Sequence, residues 1–235
     1  MGDKHISTQF DNDLNTISTR LMEMGGLIET QLRDGIRAFL DMDVELADVV
    51  ISREADVNKY ETVIDHDVSS VIGRRQPTAR DLRFLMAIGR ATGNLERAGD
   101  EVARIARMVK QISISAHGTK LPAFELKTAS DMAAQLMQRS LDAFARLDAH
   151  MALSIIKEDD LLDNEYNGFL RKLMTYIMED PRAISPSLNL LFVAKAIERV
   201  GDHAKNIAEA TIYVAKGEDV RHTPVEGVAS VVAKS

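Results

Sequence analysis

The feature that most constrains this chain is a phrase it uses twice. "NLERAGDEVARIA" (94–106) and "AIERVGDHAKNIAE" (196–209) share the kernel Glu-Arg-x-Gly-Asp. Glu96 and Asp100 recur as Glu198 and Asp202; 198 less 96 and 202 less 100 both give 102. A four-residue step puts each acid pair one turn apart on a single helical face. A helical motif repeated at that interval predicts two similar halves. The interval is too long for a solenoid, whose periods run about 20–50 residues.

Apolar spacing fills in the halves. Ile17, Leu21, Met24, Ile28, Leu32, Ile36 and Phe39 recur at steps of three and four and predict a first helix over about 7–41. Val50, Val57, Ile64, Val68 and Val71 predict a second over 44–74, after a tight turn at Leu40-Asp41-Met42-Asp43. "RRQPTARD" breaks it, because Pro77 cannot continue a helix and Thr78 can cap the next. A third helix follows over 79–115. "SISAHGTKLP" (113–122) reads as a linker. Three more segments follow, over about 123–148, 150–179 and 187–216, the last carrying Leu190, Ile197, Ala204, Ala208 and Ala215. The predicted fold is all-α, two tandem, similar three-helix bundles of long antiparallel helices. The expected divisions are a first bundle over 1–116, a second over 117–217 and a loose tail over 218–235.

Two like charges one turn apart cost about 0.2–0.5 kcal/mol per pair. Such pairs also arise by chance in a chain that is 28% charged, and Glu61 with Asp65 makes another. One pair alone reads as a solvated face. Position sharpens it. Taking Leu95 or Ile197 as the stripe reference, the Glu lies about 100° and the Asp about 140° round, at the stripe edge. On the second helices Glu54 with Asn58, and Asp159 with Asp163, lie about 60° and 100° from Val57 and Leu162. Each half therefore offers two oxygen-bearing pairs. If their edges face each other, the result is a four-residue oxygen cluster suited to hard or borderline cations such as Mg²⁺, Ca²⁺, Mn²⁺ or iron. A bound cation would turn repulsion into coordination. The second half, with four carboxylates, is expected to bind more strongly than the first. Gly99 and Gly201 read as close-approach points between helices. Arg97 and Arg199 point away from the stripe, as surface or interface groups. Arg104 sits where it can offset Asp100. His203 reads as a surface helix residue, and the methionines as core fillers.

Composition narrows the function. A net charge of −7 leaves no overall basic footprint for nucleic acid. With no cysteine there is no disulfide framework and no thiolate metal site. "MGDKHISTQF" lacks the apolar stretch of a secretory signal, and no apolar run reaches the ~20 residues of a membrane span, so the expectation is a soluble cytoplasmic protein.

At this point the words become familiar. "LERAGD" and "IERVGD", together with "RRQPTARDLR" (74–83), "KHISTQFDNDL", "RKLMTYIMED" and "YVAKGEDVRH", resemble the PhoU family of phosphate-transport accessory and regulatory proteins over residues 4–222. The resemblance implies two three-helix bundles with metal ions (iron, zinc, manganese or magnesium) at Glu/Asp-x-x-x-Asp motifs on the bundle surface. Carried over, the metal ligands fall on Glu96, Asp100, Glu198, Asp202, Asp159 and Asp163, and on Glu54 with Asn58, where Asn departs from the acidic pattern. It further implies a negative regulator of the phosphate-starvation response, linking the ATP-binding subunit of a phosphate ABC transporter to a phosphate-sensing membrane histidine kinase. A homodimer that meets the membrane only through its partners is expected, with Arg97 and Arg199 toward an interface.

Two other readings compete. A carboxylate-bundle oxidase would want Glu-x-x-His on paired helices. None of the four pairs has it, since His203 lies five residues after Glu198. No Ser/His/Asp set and no Gly-rich phosphate loop followed by Lys appears either, so the chain reads as a non-enzyme. A passive structural bundle with empty carboxylates is the third reading.

Overall fold

The structure, a computed structural model, describes residues 2–115 and 121–234. Among them are eight α-helices and no strands. The first half comprises α1 (Gly2–Asp41), α2 (Val44–Ser52), α3 (Glu54–Arg75) and α4 (Ala79–Ser115). The second comprises α5 (Lys127–Arg146), α6 (Ala149–Glu179), α7 (Ile184–Lys216) and a short α8 (Val225–Ala233). No described helix is long and apolar enough to cross a membrane.

The stripes read from spacing are the buried faces. Ile17, Leu21, Met24, Ile28 and Leu32 of α1 are buried, as are Leu85, Leu95, Val102 and Val109 of α4 and Leu190, Ile197, Ala204 and Ala208 of α7. Val68 is only half-buried and Ala215 is exposed, Val214 being the buried residue of the last turn of α7 instead. Buried residues of both halves form one continuous core. Its centre is the antiparallel pair α4–α7, the most extensive helix contact in the molecule. The direction is fixed by Asn94 with Asn206 at one end (3.0 Å) and Ser115 with Asn189 at the other (3.5 Å). The third helices of the two halves thus lie side by side, and so do the repeated motifs they carry.

The duplication is visible in the backbone as well. α1 and α5 each end on a left-handed residue, Met42 (φ 53°) and Leu147 (φ 51°). The next N–H then reaches back, Asp43 to Ala38 O and Asp148 to Ala143 O, both at 2.9 Å. This closure satisfies carbonyls the helix end would leave bare. The same two aspartates cap the following helices, Asp43 accepting from Leu46 N and Asp148 from His150 N and Met151 N.

Three expectations need correction. The segment 44–74 is two helices, broken at Arg53. The buried amide of Gln31 donates to Val50 O (3.3 Å), and Asp34 holds the Arg53 guanidinium at 2.7 Å, so both sides of the break are pinned from α1. The sixth segment begins at Ile184, not 187. Pro186 sits in the first turn of α7, where a helix has no use for its missing N–H. The tail is not loose: α8 packs on α6 and α7 through Val228, Val231 and Val232. The centre of the expected linker, and with it the 116/117 boundary, lies outside the described residues.

Gly89 and Gly93 stand inside α4 with open space where a Cβ would go. Replacing either with Ala is expected to stabilise the protein by about 0.5–1 kcal/mol, by restricting the unfolded chain and favouring helix. Chemical denaturation checks this.

Candidate metal centre

In the second half, the α6–α7 crossing sets the geometry. Gly201 lies against Leu162, so close that a Cβ there would overlap Leu162 Cδ2 and stand 3.4 Å from Asp159 Oδ1. This contact brings the acids of α6 beside Glu198 and Asp202. Asp159 is buried, and Lys205 Nζ holds its Oδ2 at 2.8 Å. Lys195 Nζ lies 2.6 Å from Glu198 Oε2. Burial pushes the Asp202 carboxyl up to about 6, and the nearby charges of Glu198, Asp159 and Asp163 push in the same direction. Burial also raises Asp159, against the pull of Lys205. The four acids expected from the sequence are thus within electrostatic reach of one another, and two lysines offset part of their charge.

The first half is built differently. Gly99 again marks a close approach, its Cβ position 2.9 Å from Ile28 Cδ1. Glu96 is half-buried, and its carboxyl rises to about 7 through burial, the charges of Asp100 and Glu61, and a hydrogen bond with Asp100. Glu61 is itself raised, by burial, then by Asp65 and Asp100. The α3 acid facing Glu96 and Asp100 is therefore Glu61, with Asp65 one turn further along α3. Glu54 is engaged elsewhere: Arg107 Nη2 contacts both its oxygens at 2.5 Å. Asn58 is exposed. Sequence reasoning set Glu61 and Asp65 aside as a chance pair. Their signal was there in the antiparallel register, which lays the turn after Asn58 against the Glu96 turn.

Arg97 and Arg199 are exposed, as their angles predict. Arg104 pairs not with Asp100 but with Glu101 (3.0 Å), a buried acid that Arg199 also approaches at 3.9 Å. His203 departs from the surface reading. It is buried between α4 and α7, with Nδ1 3.1 Å from Asn94 Oδ1. Burial, then the charges of Arg97 and Arg199, lower it to about 4, so it is neutral at pH 7. Glu101 and His203 occupy the same place in the two repeats, one residue after the motif Asp, and both face the seam between the halves.

The donor chemistry fits a hard or borderline cation. Both sets are oxygen-only, both crowd negative charge, and in each one acid has its proton affinity raised by its neighbours. The side chains are not arranged as a finished cage: among the described residues no three His, Asp or Glu groups converge enough to hold an ion.

Comparison with known proteins agrees with this architecture. The PhoU domain family matches residues 21–109 and again 126–211. The chain is 42% identical to the phosphate-specific transport system accessory protein PhoU homolog of Pseudomonas aeruginosa over 219 residues, covering 93% of this chain and 90% of the relative. It is 43% identical to the accessory protein PhoU of Escherichia coli over the same shares. The crystal structure of PhoU from Pseudomonas aeruginosa superimposes with a TM-score of 0.86 at 40% identity, over 89% of this chain and all of that one. The phosphate transport system regulatory protein PhoU from Streptococcus pneumoniae superimposes with a TM-score of 0.82 at 25% identity, over 90% of this chain and 99% of that one. Two motif-bearing halves, the helical fold and the identity over most of the chain lead to one conclusion: this chain belongs to the PhoU family.

Proposed function

We propose that this chain regulates phosphate transport as a cation-tuned helical adaptor. In this reading it acts in the cytoplasm, as a homodimer and without catalysis of its own. It links the ATP-binding subunit of the phosphate ABC transporter to a phosphate-sensing histidine kinase, restraining uptake and the starvation response when phosphate is plentiful. Its relatives' names as phosphate-transport accessory proteins support the transport role. The observation that carries the cation part is the pairing, in both halves, of the third-helix motif with acids of the preceding helix. Glu198, Asp202, Asp159 and Asp163 would hold the ion in the second half, and Glu96, Asp100, Glu61 and Asp65 in the first. Glu54 and Asn58 lie toward the far end of the first set. A bound ion of iron, zinc, manganese or magnesium would supply the positive charge that these carboxylates lack. The chain's own part is to hold the acids apart on two rigid helices, and to release Lys195 and Lys205 from Glu198 and Asp159 as charge is matched.

The test uses tag-free protein analysed for metals by mass spectrometry, with affinities measured for the purified ATP-binding subunit and the kinase's cytoplasmic part. Wild type is expected to carry metal. The Asp100→Ala, Asp202→Ala protein is expected to lose it and to bind at least one partner tenfold more weakly. Metal-free wild type that binds both partners would end the cation role and leave the adaptor standing.

A further inference from the structure

Between α1 and α3, on the side of α3 turned away from Glu61 and Asp65, lies a cavity of about 520 Å³. That is inside the range of about 300–1,000 Å³ typical of small-ligand sites. Its apolar wall is Leu27, Val63 and the ring of Tyr60, all half-buried. Four charged side chains share the cavity: Arg20 and Glu23 from α1, Asp56 and Lys59 from α3. The Tyr60 hydroxyl donates to Glu23 Oε2 at 3.5 Å, which places that acid beside the ring.

The four charges are not equally free. Arg20 is taken by Asp67 in an ion pair across the two helices. Asp56 and Lys59 make no ion pair and no side-chain hydrogen bond among the described residues, and Glu23 has only the Tyr60 hydroxyl. Two carboxylates and one ammonium are left without a charged partner, around an apolar wall. A polyanion such as a nucleotide or phosphate would meet two acids for one cation, so its charge is mismatched. A guest with two cationic groups, one carboxylate and an aliphatic stem matches all three, and a cationic end can also lie on the Tyr60 ring. The set is specific to the first half. The 105-residue offset between the capping residues Asp43 and Asp148 carries the Arg20–Asp67 pair onto Glu125 and Lys172, which also pair, in reversed polarity, at 2.6 Å. The two helix pairs are thus in register. At the same offset Asp56, Lys59 and Tyr60 become Leu161, Asn164 and Glu165. The framing ion pair is repeated, but the free charges at the cavity are not.

We infer that the α1–α3 cavity binds a basic amino acid, with its two cationic groups on Glu23 and Asp56, its carboxylate on Lys59 and its stem along Leu27, Val63 and Tyr60. Glu23, Asp56 and Lys59 are exposed, so each ion pair is screened by water and contributes little. A dissociation constant on the order of 1 mM is expected. The site is separate from the carboxylate set on the other side of α3 and does not depend on a bound cation there.

The test is a titration of the full chain followed through its amide NMR shifts. The probes are L-arginine, agmatine (arginine without its carboxylate), L-glutamate and inorganic phosphate. L-Arginine is expected to shift the lining residues of α1 and α3 and to saturate. Asp56→Asn and Lys59→Gln should each weaken it about threefold. Agmatine should bind the same residues more weakly than L-arginine, and Lys59→Gln should not weaken it further, because it has no carboxylate to lose. L-Glutamate and phosphate should leave the lining unshifted. Amides distant from the cavity report whether each variant keeps its fold, and Glu165→Gln, at the corresponding place in the second half, should leave L-arginine binding as it is. L-Arginine shifts that do not saturate, or that spread over the acidic surface without singling out α1 and α3, overturn the inference. So does an L-arginine affinity that Lys59→Gln leaves unchanged, or L-glutamate that saturates the same residues as tightly, since the cavity would then not be reading both charges.

Discussion

Gly201→Val is expected to cost about 3 kcal/mol or more of folding stability, the high end of what overpacking a core contact does. The residue lies at the crossing of α6 and α7, where even one added carbon overlaps the buried Leu162. Valine adds three carbons, and its branched Cβ has one favoured rotamer in a helix, so it has little room to turn aside. The helices must separate, and the separation carries Asp159 away from Glu198 and Asp202. Gly201→Ala is the graded version. It gains about 1 kcal/mol of helix propensity but still meets Leu162, so a net loss of about 1–2 kcal/mol is expected. Urea titration monitored by circular dichroism measures both. An Ala variant that gained stability, as the open-sided Gly93→Ala should, would show that the crossing has slack and that Gly201 does not set it.

This glycine also shows how much was legible beforehand. Its place inside a helical motif, on the buried side, was enough to name it as a close-approach point, because glycine in a helix interior is unfavourable unless something needs the space. The helical stripes were equally readable, since a 3.6-residue period maps directly onto a buried face. The second-half acids could be placed for the same reason. The first-half set was harder. Angles locate a residue around its own helix but say nothing of how far that helix slides along its neighbour. The break at Arg53 depends on Gln31 and Asp34 of α1, which no reading of segment 44–74 could supply. Glu54 therefore goes to Arg107, and Glu61 takes the place beside Glu96. His203 was misjudged, and Glu101 passed over, from another cause. Their burial comes from the pairing of α4 with α7, a contact between repeats that the repeats themselves do not specify.

The second large effect is a coupling of stability, pH and cation. Asp202 moves from 3.8 to about 6, and Glu96 from 4.5 to about 7. A carboxyl with a raised folded-state value keeps its proton after the unfolded chain has lost its own. The native state then binds more protons, so stability is greatest below the unfolded value and falls as pH rises through the folded one. For these two groups the fall spans about pH 4–7. Discounted for solvent screening of half-exposed groups, each contributes on the order of 1 kcal/mol. Asp219, held near 2 by Arg221, runs the other way and is lost only in stronger acid. The buried His203, lowered to about 4, opposes these acids between pH 6.5 and 4, so the comparison is made in His203→Gln protein, which is expected to melt higher metal-free at pH 5 than at pH 8. Glu198→Gln with Asp202→Asn should recover about 1 kcal/mol at pH 8 and flatten the profile. Cations reverse the picture, because ligation needs the deprotonated carboxylates. Mn²⁺ at a hundred times its dissociation constant should add about 2.7 kcal/mol at pH 8, and little at pH 5, where Asp202 and Glu96 keep their protons. In the Glu198→Gln, Asp202→Asn protein the second-half share of that gain should vanish, leaving the first-half contribution. Thermal melts at the two pH values, with and without Mn²⁺, separate the terms. In His203→Gln protein, a metal-free melting temperature that climbed from pH 5 to pH 8 would contradict the proton uptake assigned to these acids, and an Mn²⁺ gain untouched by the double substitution would place the ion elsewhere.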